Sequence, residues 1–354
     1  MKAAVWYGQK DIRVEERELK ELQPNEVTVR VAWAGICGSD LHEYAEGPVF
    51  VPVDEKAPLT GEIAPLIMGH EFAGIVEAVG SEVTTVKVGD RVAVNPTSTY
   101  GNKPEEYDTY DGFNFIGLHG DGGFATFANA PESNIYVLPE PLTLQHGALV
   151  EPAAVGVQAV KESGLLFGDT VAVFRAGPIG LLTAAAAKAA GASKIIVLDL
   201  SEERLAKAKQ MGATHVVNSG EVNPVEAINE IVPYGVDVSF EVAGVKATFE
   251  QAIDSTRPRG TMVIVSIFAN PIPWNPLQLI NTGVKITSSI AYTPSSFQQT
   301  IDLMSTGQLN TDGIITDEIE LDDIVEKGFD VLISDKSQAK ILVKLSEAPS
   351  MHLV

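Results

Sequence analysis

Between Thr170 and Asp199 the chain runs through a short strand, a glycine-bearing turn, an alanine-rich helix, a second strand and an acidic residue, in that order. Alternation of strand and helix at this spacing indicates a parallel, doubly wound sheet and leaves few other folds open. Thr170 to Phe174 reads as a buried strand, and Leu181 to Ala190 carries high helix propensity. Gly191 falls where a helix C-terminal cap belongs. Lys194 to Leu198 reads as the next strand, after which Ser201 is placed to cap a helix over Glu202 to Met211. Val236 to Val242, Thr261 to Ile267 and Val284 to Ile290 read as further strands, before helical and strand-like segments return to Val343.

The turn itself reads Phe174-Arg175-Ala176-Gly177-Pro178-Ile179-Gly180. A Rossmann turn normally reads Gly-x-Gly-x-x-Gly. Its second glycine lets the pyrophosphate approach the backbone and its third allows close packing of helix on strand. Gly177 and Gly180 fill those roles, but Arg175 stands where the turn-making first glycine belongs. A side chain there predicts strain or a local detour, and a guanidinium there could equally contact the cofactor phosphates. Asp199 ends the second strand nineteen residues after Gly180. Its carboxylate would accept from an adenosine ribose and repel a 2′-phosphate, which favours NAD over NADP; alternatively it caps the turn before Ser201. The expected cofactor-binding set is Arg175, Gly177, Pro178, Ile179, Gly180, Asp199 and Arg204.

The first 150 or so residues have another rhythm. Val27-Thr28-Val29-Arg30-Val31 alternates with period two, as a half-buried strand should. Gly74 to Val79 is apolar and β-branched, and Val88 to Val94 places a Gly-Asp turn before a strand. The proline-bearing segment from Val49 to Pro65 predicts a surface excursion near the site. With 354 residues the chain is long enough for two domains, each with its own core.

Only one cysteine is present, Cys37, in Gly35-Ile36-Cys37-Gly38-Ser39-Asp40-Leu41-His42. A lone thiol forms no internal disulfide, so it is core filler, nucleophile or metal ligand. The ligand reading gains from Gly69-His70-Glu71-Phe72 and Val150-Glu151-Pro152, which add an imidazole and two carboxylates. That set suits Zn²⁺ with one position left for water or substrate. Cys37, His70 and Glu151 are the preferred ligands. Glu71 ligates directly, exchanges with water or orients the site from outside it; the sequence leaves these open.

These stretches resemble the zinc-dependent medium-chain dehydrogenases. The resemblance implies an α/β protein with a β-rich GroES-like catalytic domain over 1–153 and 290–354 and a doubly wound, NAD-binding Rossmann domain over 154–289. It implies that Ser39 relays the proton of the reacting alcohol and that His42, whose unperturbed pKa lies near ~6.5, carries it to solvent, while Glu71 supports the reaction beside them. A metal ion would lower the alcohol's pKa and hydride would pass to nicotinamide C4. His42 could instead only bond a loop or the cofactor ribose. Many relatives hold a second, structural zinc on four clustered cysteines. Asn95 to Phe113 contains none, which predicts a single catalytic zinc per subunit.

A narrower likeness runs through Cys37 to Tyr44, Gly47 to Pro52, Met68 to Phe72 and Gly120 to Ala125. It resembles the 2,3-butanediol dehydrogenase branch, similar to sorbitol dehydrogenase. This implies interconversion of butane-2,3-diol and acetoin, with diacetyl reduction a further activity; sorbitol or xylitol oxidation is the alternative. A small diol or hydroxyketone is the expected partner, in a homodimer or homotetramer. Because of Arg175, a zinc-bound but inactive structural or interaction protein also stays open.

The net charge of −22 argues against nucleic acid and anionic membrane as partners. The N-terminus reaches Gln9, Lys10 and Asp11 too soon for a secretory apolar region. Leu181 to Ala187 falls far short of the roughly 20 residues of a membrane span. The absence of disulfides fits a reducing compartment, so a cytoplasmic enzyme is expected.

Overall fold

The structure, a computed structural model, describes residues 1–100, 108–335 and 337–347. The chain divides into two compact units: Met1–Glu151 with Thr293–Ile301 and the chain from Ile315, and Pro152–Tyr292 with Asp302–Ile314. The sequence expectation ran the first domain unbroken from residue 290. The contacts instead place Asp302–Ile314 with the second unit, where Leu309 and Ile314 are buried and Lys207 Nζ donates to Gly313 O at 3.5 Å.

The first unit is β-rich. Among the described residues its main sheet has seven strands, with Ile135–Val137, Arg91–Val94, Glu71–Val79, Glu26–Gly35, Lys340–Lys344 and Ile315–Glu320 in spatial order, and Phe127–Pro131 also paired to Glu26–Gly35. The Val27–Val31 alternation lies within Glu26–Gly35, but this strand is not half-exposed. It is paired to three neighbours, and Thr28 is buried with them, donating to Asn129 Oδ1 at 2.7 Å. Trp6, Phe72, Phe124 and Phe329 anchor the core. The segment 49–65 forms no helix or strand. Its start is fastened by buried Glu43, whose carboxylate accepts from the amides of Val49, Phe50 and Val51. Of the Asn95–Phe113 segment, 101–107 lie outside the described residues; Thr97–Thr99 pairs antiparallel with Phe113–Phe115.

The second unit carries a six-stranded sheet, all parallel, in the order His215–Asn218, Lys194–Asp199, Thr170–Phe174, Val236–Glu241, Thr256–Ile264, Lys285–Ser288. This is the doubly wound order, with the crevice at the C-terminal ends of the first strands. Helix Pro178–Ala189 is capped as expected, with Gly191 at φ 91° and its amide bonded to Lys188 O. The strand expected at Thr261–Ile267 starts earlier, at Thr256, and stops at Ile264. Just past its end, Ser266 Oγ donates to the Glu241 carboxylate. Phe174, Phe240, Phe249 and Ile253 lie in this unit's buried core. No helix among the described residues is long and apolar enough to cross a membrane.

Candidate active site

Register brings the metal-binding candidates together. Gly35 is paired with Glu71 on one side and with Leu342 on the other. Cys37, just past the first strand, therefore meets His70, just before the second, and Lys340, at the start of the third. Cys37 Sγ, a His70 ring nitrogen and a Glu71 carboxylate oxygen lie within 4.8 Å of one another. Cys37 caps helix Gly38–Glu46, which carries Ser39 and His42. Ser39 Oγ lies 3.2 Å from His70 Nε2.

Asp40 supports both main donors from behind. Its Oδ2 accepts from the Cys37 amide at 2.9 Å, and its Oδ1 stands 3.4 Å from His70 Nδ1. Both side chains are almost wholly buried, and among the described residues neither Asp40 Oδ1 nor His70 Nδ1 makes a hydrogen bond. Burial opposes a charged imidazole, but the charges of Asp40 and Cys37 outweigh it and hold His70 well above its ordinary pKa. A thiol, an imidazole and a carboxylate at ligand spacing, with the imidazole's far nitrogen backed by a buried carboxylate, fit Zn²⁺.

The two remaining carboxylate positions differ. Glu151, in the first turn of helix Val150–Ser163, is buried but stands outside the cluster of Cys37, His70 and Glu71. Glu71 is held by Lys340: Nζ donates to both carboxylate oxygens at 2.7 Å and to Ile36 O at 3.0 Å. Burial disfavours the Lys340 ammonium, yet the charges of Glu71, Cys37 and Glu151 outweigh this and raise its pKa. The seat is tight, because a Cβ on Gly35 would fall 2.2 Å from Glu71 Oε2. His42 is half-exposed on the solvent side of its helix, 3.8 Å from Glu46.

The second unit holds a cleft of about 390 Å³ lined by Arg175, Asp199, Arg204, Val245 and Thr248 among others. Arg175 does adopt the backbone of a glycine, at φ 97°. Gly180 is required, since a Cβ there would lie 1.9 Å from Arg175 O. A Cβ on Gly177 would meet nothing closer than Arg175 Nε at 3.6 Å, so the backbone there is bare for a ligand rather than for internal packing. Pro178 and Ile179 open the helix. Asp199 caps the turn before Ser201, as the alternative reading expected: Oδ1 accepts from the Leu200 and Ser201 amides, while Oδ2 accepts from Ala176 N at 2.8 Å and stands 3.9 Å from Arg204.

The alcohol dehydrogenase GroES-like domain family matches residues 23–140, and the zinc-binding dehydrogenase family matches 178–306. The chain is 46% identical over 346 residues to (R,R)-butanediol dehydrogenase of Bacillus subtilis (strain 168), covering 97% of this chain and 99% of that one. It is 37% identical to the sorbitol dehydrogenase of the same organism, covering 91% of each. The crystal structure of 2R,3R-butanediol dehydrogenase from Bacillus subtilis superposes with a TM-score of 0.92 at 44% identity, over 98% of this chain and 99% of that one. The chain belongs to the zinc-dependent medium-chain dehydrogenases.

The chemistry of such a dehydrogenase is oxidoreduction with zinc and a nicotinamide cofactor. Three of its supporting residues escaped the sequence reading. Asp40 lay inside the cysteine motif and was passed over, although an acid three residues after a helix-capping position is a readable signal. Glu241 is wholly buried and accepts from Ala243 N, Gly244 N and Thr248 Oγ1, ordering a loop that lines the dehydrogenase's nucleotide cleft. Lys340 carried no local motif at all.

Proposed function

We propose that this dehydrogenase interconverts butane-2,3-diol and acetoin, using NAD(H) and one catalytic zinc per subunit. The observation that carries the reading is the cluster of Cys37, His70 and Glu71 in a chain so similar, end to end, to a butanediol dehydrogenase. Cys37 and His70 would supply thiolate and imidazole; the carboxylate would come from Glu71, which stands with them, or from Glu151, which lies outside their cluster. Zinc supplies Lewis acidity at the substrate oxygen, and NAD supplies the hydride acceptor. Ser39, next to the His70 ring, accepts the alcohol proton, and half-exposed His42 returns it to water. A vicinal hydroxyl gives the substrate a second handle for a neighbouring polar group.

Asp199 supports NAD preference, placed with Arg204 at the rim of the cleft. The unit Pro152–Tyr292 with Asp302–Ile314 is the nucleotide-binding one, and the unit Met1–Glu151 with Thr293–Ile301 and the chain from Ile315 the catalytic one. Beside edge strand Lys285–Ser288, Leu277 and Ile280 are exposed, which supports a homodimer or homotetramer. A cytoplasmic setting suits the single free thiol.

The sorbitol dehydrogenase relative keeps polyol oxidation as the second reading. An NAD⁺ reduction screen over butanediol stereoisomers, sorbitol, xylitol and simple alcohols separates them. A kcat/KM highest for a butane-2,3-diol is expected; a higher value for sorbitol or xylitol would transfer the assignment to polyols.

A further inference from the structure

Glu71 lies within reach of two cations. One is the Lys340 ammonium, 2.7 Å from both carboxylate oxygens, with Lys340 2% exposed and Glu71 fully buried. The other is whatever metal Cys37 and His70 hold, since a Glu71 oxygen is within 4.8 Å of both their donor atoms. Buried charges persist only when compensated. Lys340 and Glu71 compensate one another, 2.7 Å apart.

We infer that Lys340 is a positioning residue: its ammonium competes with the metal for the Glu71 carboxylate and so keeps one coordination position open to substrate. Three features favour this over a packing role. Lys340 is bidentate to Glu71 and also donates to Ile36 O, so all three of its donors are directed at the strand ends carrying the ligands. It opens the strand Lys340–Lys344, whose pairing with Glu26–Gly35 fixes its height beside Cys37. Gly35 leaves the room Glu71 occupies, where any side chain would collide with the carboxylate. The inference rests on the zinc reading of Cys37 and His70.

The test is a cycle of Lys340→Met, Glu71→Gln and the double variant, read by Zn²⁺ affinity in competition with a chromophoric chelator and by the visible spectrum of the Co²⁺-loaded protein. Lys340→Met frees Glu71 to ligate, so Zn²⁺ should bind about tenfold more tightly, the Co²⁺ bands should weaken as coordination number rises, and KM for the diol should increase. Glu71→Gln leaves the ammonium unopposed and should weaken Zn²⁺ binding by about tenfold. The double variant removes both charges and should return affinity and spectrum to those of the unmodified protein, and Lys340→Arg should retain them. Unchanged affinity and spectrum in Lys340→Met, or a shift that persists in the double variant, would overturn the inference. If Lys340→Met alone does not fold, Glu71→Gln and the double variant still decide: equal Zn²⁺ affinity in these two overturns it. An unmodified protein that takes up no Zn²⁺ or Co²⁺ overturns the zinc reading itself, and the inference with it.

Discussion

Asp199 Oδ2 accepts a hydrogen bond from the Ala176 amide at 2.8 Å, so the acid that ends the second strand of the nucleotide unit also fastens the turn that follows the first. One carboxylate thereby links the proposed choice between NAD and NADP to the shape of the glycine-bearing turn. Asp199→Gly should relax the preference for NADH over NADPH, because the charge opposing a 2′-phosphate is gone. It should also leave the Ala176 amide without its partner, at a cost of about 1–3 kcal/mol in stability. Dissociation constants for the two cofactors and denaturant unfolding check both parts. An unmodified enzyme that uses NADPH better than NADH would show the reading of Asp199 to be wrong.

Arg175 holds φ 97° in a turn whose usual residue is glycine. A non-glycine residue there costs on the order of 1–3 kcal/mol, while a charge-assisted bond to phosphate returns about 1.5–3 kcal/mol. Arg175 is exposed and its side chain touches the Gly177 position rather than anchoring the loop. Arg175→Gly is therefore expected to bind NADH more tightly. Weaker binding by the glycine variant, greatest at low salt, would make Arg175 a phosphate ligand instead.

The nucleotide unit was legible because its signals are local: strand, turn, helix and acid succeed one another within thirty or so residues, each with its own capping or turn chemistry. Even Arg175 announced its strain. The metal-binding candidates were legible one by one, but not how strand register groups them. Glu71, rather than the preferred Glu151, stands with Cys37 and His70, and that follows from strand register. Lys340 was beyond reach, since its partners Glu71 and Ile36 lie 269 and 304 residues away in the chain and a lysine in a β-pattern reads as a solvent-facing residue.

The charge around His70 gives the metal site a pH dependence. Its folded pKa is raised above the unfolded value, so in the metal-free protein the protonated ring contributes stability that is fully present below about 6.5. That contribution is lost as pH rises through the higher folded value. Zinc needs the neutral ring, so Zn²⁺ affinity should increase with pH across the same interval, and binding should release protons. Calorimetry in buffers of different ionisation enthalpy measures the release; an affinity independent of pH from 6 to 8 or so would contradict it.

Asp40 positions the imidazole and caps the helix that follows Cys37. Asp40→Ala should reduce Zn²⁺ affinity by about 10–100-fold, since it removes the partner of His70 Nδ1 and of the Cys37 amide. Chelator competition reads this directly. Affinity equal to that of the unmodified protein would make Asp40 a capping residue only.

Metal content of Cys37→Ser, measured by elemental analysis beside NAD⁺ reduction with butane-2,3-diol, tests the zinc-centred reading most directly. The unmodified chain should carry one zinc per subunit, and the variant should lose metal and diol oxidation together while its fold, read by near-ultraviolet circular dichroism, persists. Full zinc occupancy in the variant would contradict the assignment of Cys37, and with it the site.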